Sequence, residues 1–303
     1  MGGGTYNISS RTLRSEKASY TTASTETLFT QVKQKRIHEL VDPKQILRVK
    51  GKLIRECRDS AEHPRSFPII LPLDVTGSMR EIPRKFLADG LPRLISKIMQ
   101  NGLADPTLLL ACIGDSAAGD RAPFQVGEFE ASDLELDNWL QRMWPEGGGG
   151  GNAGESYLWS WYFAARCTST DHFEKRGQKG ILITIGDEPS LPSISSREFQ
   201  EVLGEGNHQP CTDVDLLAEA QKMYEVYHLH MMEGSAGPRS LGYWQQLLGD
   251  HCITVNNYND LPETIADLVI KVASSQNIID TTSAAAVDSP ITAETIKHNT
   301  ILL

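Results

Sequence analysis

The sequence predicts an α/β fold, a Rossmann-like, doubly wound and mostly parallel six-stranded sheet flanked by helices. Two observations lead to this prediction. Apolar runs of strand length alternate with helical stretches between about residues 67 and 275. Most of these runs are apolar throughout, which is typical of strands that are buried on both faces. Ligands of such sheets bind beyond the carboxyl ends of the strands, so polar residues at those ends are the functional candidates.

Six runs are predicted as strands, the third of them a short edge strand with alternating polarity. They cover residues 67–73, 107–113, 124–129, 180–185, 224–231 and 251–255. Helices are predicted over residues 80–100, with breaks at Asp89-Gly90 and Pro92, and over 132–143, 155–167, 195–203, 213–223, 241–248 and 261–274. Ser132, followed by acidic residues, is a typical helix start.

The sequence is expected to divide into four parts. Residues 1–27 are rich in Ser, Thr and Gly, so we expect a tail that is disordered or becomes ordered on a partner. Residues 28–65 form a basic helical extension, in which two short helices are predicted on either side of Asp42-Pro43. The main domain covers residues 66–275, and residues 276–303 form a second polar tail.

The charge distribution is uneven. Residues 1–65 contain 13 Lys and Arg against 7 Asp and Glu, although the whole chain has a net charge of -10. A basic arm of this kind can contact nucleic acid or lie on its own acidic domain. Its few aromatic residues, Tyr6, Tyr20 and Phe29, make nucleic-acid binding the less favoured alternative.

Composition and cysteine usage indicate a soluble cytoplasmic protein. No apolar run approaches the roughly 18 residues of a membrane-spanning helix, and the first residues lack the apolar stretch of a secretory signal. The five cysteines are scattered singly, which favours core packing in a reducing compartment over disulfides or a metal cluster.

The strongest candidate site directly follows the first predicted strand. Asp74, Thr76 and Ser78 stand at alternate positions, so their oxygen atoms are expected to point the same way. A carboxylate and hydroxyls are hard ligands that suit Mg²⁺ or Mn²⁺ and leave coordination positions open. The alternative is a capping turn at a helix start, in which the same side chains bond free backbone N–H groups.

This motif resembles the metal-ion-dependent adhesion site, or MIDAS, of von Willebrand factor A (vWA) domains. The segment 74–79, DVTGSM, is similar to the DxTGSM start of an intracellular subgroup, and residues 147–156 resemble its glycine-rich loop, GGGGDxPES. Residues 181–189 look like the strand that ends on a metal-linked Asp, and residues 111–115 look like the end of the second strand. The resemblance covers about residues 67–275.

The resemblance implies a set of site residues. The metal ligands would be Asp74, Thr76, Ser78 and Asp187, with Asn152 or Ser156 replacing the Thr that most members supply from the middle loop. The carboxylates that are expected at the rim are Asp115, Glu155 and Glu188. The extra Gly186 before Asp187 departs from the usual pattern and leaves the position of that carboxylate open.

The function that the resemblance implies is a protein-binding module without enzymatic activity. Mg²⁺ would capture an Asp or Glu of a partner, and the protein would act as an intracellular adaptor or assembly factor, with a MoxR-type AAA+ ATPase as one candidate partner. One alternative is a structural protein that binds through its tails. A metal-dependent hydrolase is less favoured, because these loops contain no His or Lys.

Two further patterns admit a functional alternative. The glycine run at residues 147–151 could cradle a phosphate, but it lacks the Lys-Ser/Thr ending of a P-loop. His228 and His230 alternate on one predicted strand and could bind zinc, but no third His or Cys is spaced nearby. A loop over the metal site and histidines on a strand face are the favoured interpretations.

Overall fold

The structure is a computed structural model and describes residues 4–7, 9–11, 34–150, 152, 154–204, 206 and 208–279. Strands and helices alternate through most of this length. The strands are β1 (Arg55–Cys57), β2 (Phe67–Asp74), β3 (Pro106–Ile113), β4 (Phe124–Glu130), β5 (Thr168–Thr170), β6 (Gly180–Gly186), β7 (Ser193–Ile194), β8 (Cys211–Thr212), β9 (Tyr224–Met231) and β10 (Cys252–Val255).

The helices connect these strands. They are α1 (Pro43–Lys50), α2 (Ile82–Lys85), α3 (Leu91–Gln100), α4 (Asp133–Arg142), α5 (Leu158–Arg166), α6 (Asp171–Glu174), α7 (Ser196–Val202), α8 (Asp213–Ala220), α9 (Gly237–Leu248) and α10 (Leu261–Ser275). A π-helical turn, Phe86–Gly90, joins α2 to α3, at the place where the sequence predicts a break.

The central sheet has six strands in the order β10-β9-β6-β2-β3-β4. All neighbouring pairs are parallel except β3 and β4, which are antiparallel. The predicted fold class is therefore confirmed, and the predicted strands match the observed ones to within one residue. The apolar runs locate the strands well because nearly every residue of β2, β3 and β6 is buried.

Both faces of the sheet are covered by helices, which gives two apolar cores. Alternate residues of one strand serve different cores: Ile69 packs with α3 and α10 on one face, and Ile70 packs with α5 and α8 on the other. The amphipathic helix α3 contributes Leu94 and Ile98 to the first core. This arrangement explains why the central strands lack the alternating polarity of a half-exposed sheet.

The strand order reverses between β2 and β6, which lie side by side with Leu73 opposite Ile185. The chain runs from β2 to β3 on one side, but it reaches β6 on the other side only after β4 and α5. Loops that leave the carboxyl ends of two such strands diverge to opposite faces and open a crevice between them. The crevice places the residues that follow β2 beside those that follow β6.

The segment before β2 differs from the prediction of two helices. Residues 35–41, the described end of the first predicted helix, form turns and bends instead of a helix. The second predicted helix is α1, and it ends at Gly51, which adopts a left-handed conformation with φ of 69°. The chain then forms β1, which pairs with β5 in parallel with Arg55 opposite Thr168. Burial of Cys57 and of the Arg55 side chain, which pairs with Glu128, stabilises a strand where we expected a helix. Residues 28–33, which belong to the first predicted helix, lie outside the described residues.

The described part of the N-terminal tail packs on the domain, in contrast to the predicted disorder. Tyr6 is buried, and the Arg11 guanidinium forms a 3.0 Å ion pair with Asp137. Arg11 also donates to the carbonyl oxygen of Ala88, in the π-helical turn. Pairing of a buried guanidinium with a buried carboxylate offsets their desolvation and fixes this stretch. Residues 1–3, 8 and 12–27 lie outside the described residues.

Residues 276–303 are predicted as a polar tail, but the structure describes only the first four of them, because residues 280–303 lie outside the described residues. Gln276 donates to the carbonyl oxygen of Lys179 and bonds the His172 ring, so the chain is held at least to this point. In the part of the chain that the structure describes, no helix combines the length and the apolar character needed to span a bilayer.

Candidate metal site

The loop after β2 gathers oxygen atoms at the strand end. The Thr76 hydroxyl donates to Asp74 Oδ1 over 2.6 Å, and the Thr76 backbone N–H donates to the same oxygen over 2.9 Å. The Thr76 and Ser78 hydroxyl oxygens are 3.2 Å apart. Asp74 and Thr76 are buried and Ser78 is half-buried, so the three oxygens face one point just below the surface.

The loop after β6 completes this group. The Ser78 hydroxyl donates to Asp187 Oδ1 over 2.6 Å, although 109 residues separate the two side chains. The loop after β9 closes the other side, because the backbone N–H of Ala236 donates to Asp187 Oδ2 over 2.9 Å. The Ser240 hydroxyl donates to the carbonyl oxygen of Asp187 over 2.6 Å. Asp74 with Thr76 and Ser78 with Asp187 therefore form two hydrogen-bonded pairs, and the 3.2 Å between the two hydroxyl oxygens brings the four side chains into one oxygen cluster.

Sequence reasoning missed Tyr157, which stands immediately before α5. Its phenol donates to Asp74 Oδ2 over 2.6 Å. The phenol passes Gly186, where an added β-carbon would lie only 1.7 Å from the Tyr157 oxygen and 2.9 Å from Asp74 Cβ. The extra glycine that disturbed the motif comparison thus provides the space for this hydrogen bond. No local pattern marks it, because Tyr157 looks like one more core aromatic residue.

Burial and mutual repulsion shape the electrostatics of the site. Burial raises the pKa of Asp74 above its ordinary value, and the charge of Asp187 raises it further, against the hydrogen bonds from Thr76 and Tyr157. Burial also raises the pKa of the Tyr157 phenol, so the phenol keeps its proton and donates a hydrogen bond to Asp74. Among the described residues, no Lys or Arg forms an ion pair with Asp74 or Asp187.

The glycine-rich loop lies directly against the loop after β2. Gly77 donates its backbone N–H to the carbonyl oxygen of Gly148 over 2.8 Å, and Gly147 donates to the carbonyl oxygen of Val75 over 3.1 Å. The loop is therefore a neighbour of the oxygen cluster, as the sequence predicts. Residues 151 and 153 lie outside the described residues.

The two ligands that the sequence offers from this loop are placed elsewhere. The Ser156 hydroxyl donates to Ser116 Oγ over 3.0 Å and accepts from the Ser116 backbone N–H over 2.8 Å. Asn152 is exposed, and its side chain bonds Asp115. Ser156 turns away because it follows Glu155, whose backbone is bonded to Pro189 and Leu191. Neither side chain belongs to the oxygen cluster of Asp74, Thr76, Ser78 and Asp187.

The three carboxylates that were expected at the rim differ in environment. Asp115 is buried and accepts from the backbone N–H groups of Ala117 and Ala118, which identifies it as the cap of a turn. Glu188 is half-buried next to Asp187. Glu155 is buried, and one of its carboxyl oxygens lacks a hydrogen-bond partner, as does the second oxygen of Asp115.

The oxygen cluster fits a hard divalent cation. Two carboxylates and two hydroxyls converge, and these are the donors that Mg²⁺ and Mn²⁺ prefer. Within the described ranges, no three His, Cys, Asp or Glu side chains are grouped to hold a metal, so the hydroxyls must supply part of the shell. Asp74 and Asp187 are buried in one oxygen cluster, and among the described residues no basic side chain forms an ion pair with either of them, so a cation would balance their negative charge.

His228 and His230 are buried in the protein interior, and the cysteines are not grouped at the site. His228 stacks on Trp244 with ring centroids 3.5 Å apart, and its Nε2 lies 3.3 Å from His230 Nδ1. Burial lowers the pKa of His228 well below its ordinary value, so the ring is neutral. All five cysteines are free thiols, and Cys57, Cys112 and Cys167 are buried.

No family model matches the sequence, and the search of curated proteins found no match. Among solved structures, the pilus adhesin SpaC of Lactobacillus rhamnosus GG, in its open conformation, is similar at 12% identity and a TM-score of 0.47, over 73% of this chain and 31% of that one. Proximal thread matrix protein 1 of the mussel byssus, with a zinc-occupied MIDAS motif, is similar at 16% identity and a TM-score of 0.40, over 72% and 49%.

A von Willebrand factor type A structure from Catenulispora acidiphila is similar at 14% identity and a TM-score of 0.37, over 68% of this chain and 42% of that one. This chain thus spans between about a third and a half of the length of the structures it matches.

Proposed function

We propose that the protein is a vWA-type, metal-dependent protein-binding module, in which Asp74, Thr76, Ser78 and Asp187 hold Mg²⁺ or Mn²⁺ in a MIDAS. The observation that carries the proposal is the cluster of carboxylate and hydroxyl oxygens between the ends of β2 and β6, in which Ser78 bonds Asp187 and lies 3.2 Å from Thr76. A capping turn explains the contacts between Asp74 and Thr76, but it does not explain why Ser78 reaches a carboxylate of another loop.

The proposed partner group is an Asp or Glu side chain of another protein. Four protein oxygens leave positions of an octahedral shell to water, and an outside carboxylate can replace such a water. A groove of about 510 Å³ lies beside the glycine-rich loop, and Asp120 both lines it and accepts from the Gly149 N–H. The groove is also lined by Arg121 and Arg197, so it contains charges of both signs.

We favour binding over catalysis. A hydrolase would need a general base beside the metal and groups that orient its substrate. Asp115 is already committed to a turn, and His230 bonds the carbonyl oxygen of Gly237. The alternative of assembly through the tails is less supported, because Arg11 and Tyr6 pack on the protein's own domain.

An adaptor or assembly role in the cytoplasm is part of the same proposal, with a MoxR-type AAA+ ATPase as a candidate partner through the intracellular subgroup that the DxTGSM motif resembles. Five free thiols are typical of a reducing compartment. Affinity purification of the wild-type chain and of a site variant, followed by mass spectrometry, tests this part. A partner that is recovered with the wild type and lost with the variant identifies the site's target.

The metal itself is tested by titrating MgCl₂ and MnCl₂ into the full chain in a calorimeter, for the wild type and for Asp74→Asn. This change keeps the shape of the side chain and removes one charged ligand. We expect the affinity to fall by about 100-fold or more, since even indirect supports of a metal contribute about 10- to 100-fold. Asp250→Asn, a change at an exposed carboxylate, serves as the control and should bind like the wild type. A wild type without response to either metal would falsify the proposal.

A further inference from the structure

We propose that His230 is a positioning residue of the metal site, because its ring fixes the turn of residues 232–236 between β9 and α9, and this turn holds Asp187 in place. The proposal rests on the proposed function where it concerns metal affinity, but the hydrogen bonds that carry it involve the protein alone. It gives the two histidines that alternate on β9, His228 and His230, a role other than metal ligation.

The turn bonds both loops that supply the oxygen cluster. The backbone N–H of Ser235 donates to the carbonyl oxygen of Ser78 over 3.1 Å, and the next N–H, of Ala236, donates to Asp187 Oδ2 over 2.9 Å. Because the two donors are consecutive, the position of the turn sets how far apart Ser78 and Asp187 lie. A shift of the turn would change the spacing of the oxygens that would contact a metal.

Gly234 shows how closely the turn packs on this carboxylate. A β-carbon built at Gly234 would lie 2.3 Å from Asp187 Oδ2 and 2.4 Å from Asp187 Cγ, which is nearer than real β-carbons approach. The backbone of the turn therefore lies directly against Asp187, with no side chain between them. Because Asp187 is also buried, its orientation depends on where this backbone lies.

His230 fixes the end of the turn. The ring is buried, and its Nε2 atom lies 2.7 Å from the carbonyl oxygen of Gly237, the first residue of α9. A carbonyl oxygen only accepts hydrogen bonds, so Nε2 carries the hydrogen and is the donor. Gly237 directly follows Ala236, so this hydrogen bond ties the last residues of the turn back to β9.

The other nitrogen of the ring is fixed by His228. Burial lowers the pKa of both histidines, so each ring is neutral and carries one hydrogen. Since the hydrogen of His230 is on Nε2, its Nδ1 accepts, and His228 Nε2 faces it at 3.3 Å. His228 Nδ1 then needs a donor, and the Thr184 hydroxyl lies 3.0 Å away. The hydrogen bonds thus run in one direction, from Thr184 through both rings to Gly237.

This order connects the strand that leads to Asp187 with the turn that holds it. The register of β6 and β9 places Thr184 opposite His228, and Asp187 directly follows β6. An apolar side chain at position 230 could fill the space of the ring, but only a donor can bond the Gly237 carbonyl. The hydrogen bond, rather than the volume of the ring, is therefore the property to test.

The test is a calorimetric titration of MnCl₂ and MgCl₂ into the full-length wild type, His230→Leu, His230→Gln and Val226→Ala. His230→Leu keeps a buried side chain and removes the donor, so we expect metal affinity to fall about 10-fold or more, as when other indirect supports of a metal are lost. The side-chain amide that His230→Gln introduces can donate from the position of Nε2, and it should keep affinity within about threefold of the wild type.

Val226→Ala is the matched control for stability. Val226 is buried on the same strand as His230, in the core that contains α5 and α8, and its side chain does not bond the turn. The change should lower the midpoint of urea unfolding in EDTA, while metal affinity stays within about twofold. Urea unfolding of all four proteins then shows whether a loss of affinity merely follows a loss of stability.

Amide hydrogen exchange of Ala236 in EDTA provides a measurement without metal. The Ala236 N–H is bonded to Asp187 Oδ2, so its exchange reports opening of the turn. The N–H of Leu229, in the middle of β9, reports general loss of stability. Relative to Leu229, we expect Ala236 to exchange at least about 10-fold faster in His230→Leu than in the wild type, and at an unchanged rate in His230→Gln and Val226→Ala.

The outcomes distinguish this proposal from the proposed function. If His230→Leu binds both metals like the wild type, or if His230→Gln loses as much affinity as His230→Leu, the assignment of His230 is wrong and the metal site stands. Equal losses in Val226→Ala would show a general effect of stability and also overturn it. A wild type that binds neither metal overturns the proposed function, and Ala236 exchange then decides whether His230 holds the turn.

Discussion

The loop after β2 and the glycine-rich loop lie side by side at the site, but they differ in how completely their polar groups are satisfied. In the first loop, Asp74 is bonded on both oxygens, by Thr76 and by Tyr157. In the second loop, the Ser156 hydroxyl bonds away from the site, and Glu155 keeps a buried oxygen without a partner. The carboxylate of the first loop is thus fully hydrogen-bonded by the protein, whereas the second loop keeps one buried carboxyl oxygen without a hydrogen-bond partner.

This difference shows what a short motif does and does not specify. The DxTGSM segment brings its donors together within five residues, so its geometry follows from local chain direction. The directions of Glu155 and Ser156 in the glycine-rich loop depend on the pairing of the Glu155 backbone with the segment after β6. That pairing is not visible in the sequence.

The largest loss of stability is expected from a substitution of Gly186, which leaves space for the hydrogen bond between Tyr157 and Asp74. Gly186→Ala places a β-carbon at the position now held by the Tyr157 phenol and separates that phenol from Asp74. We expect the free energy of unfolding in urea to fall by about 3 kcal/mol, from overpacking and an unpaired buried group. Gly242→Ala, inside α9 and with open space around its β-carbon, is the control and should be neutral or slightly stabilising. Equal stability of the two variants would contradict the conclusion that the hydrogen bond between Tyr157 and Asp74 holds the first loop in place.

A second prediction compares hydroxyls from the two loops. Thr76→Val keeps the side-chain shape and removes the hydroxyl oxygen that bonds Asp74 and lies 3.2 Å from the Ser78 hydroxyl, so Mn²⁺ affinity should fall by about 10-fold. Ser156→Ala removes a hydroxyl that faces Ser116 and should leave the affinity within about twofold. Calorimetric titration measures both. If Ser156→Ala weakens metal binding as much as Thr76→Val, the contrast between the loops is wrong.

The smallest effect concerns the core behind the first loop, where His228 packs against Tyr157 and Trp244. Burial lowers the pKa of His228 well below 6.5, so the unfolded chain takes up this proton at a higher pH than the folded one. Stability therefore falls as the pH drops below about 6.5, by up to about 1.4 kcal/mol per pH unit for one histidine.

Urea unfolding in EDTA between pH 6.5 and pH 5, for the wild type and His228→Gln, measures this contribution. The variant should lose stability less steeply, by about 1 kcal/mol per pH unit. The slope is the quantity to compare, because the variant also loses the stacking on Trp244. If stability fell equally steeply with pH in the wild type and the variant, His228 would take up its proton in the folded state as readily as in the unfolded state.

The sequence predicts most of the fold because burial on both faces leaves a strong local pattern. Phe67–Asp74 and Pro106–Ile113 are apolar runs that end at polar loops, so their positions follow from composition. Strand β1 is different, because it has three residues and is stabilised by pairing with β5, more than 110 residues later. Such a strand has no local signal, and the helical expectation there failed for this reason.

For the candidate site, the sequence indicates the polar residues that directly follow the strands. It does not indicate the residues whose hydrogen bonds hold those polar side chains in place. Asp74 and Asp187 are visible as acidic residues at the ends of apolar runs. Tyr157 and Ala236 are not, because one resembles a core aromatic residue and the other acts through its backbone N–H. These contacts depend on the packing of α5 and of the loop after β9, which local patterns do not encode.

The hydrogen bond between Tyr157 and Asp74 also allows metal binding to be followed by the ultraviolet absorption of Tyr157. The ultraviolet absorption of a phenol depends on the negative charge of the oxygen that accepts its hydrogen bond. A cation bound at Asp74 would reduce that negative charge and shift the absorption of Tyr157. Because Tyr157 is fully buried, solvent does not mask the change. Difference absorption spectroscopy, with Tyr157→Phe as the blank, would then follow the filling of the site without a label.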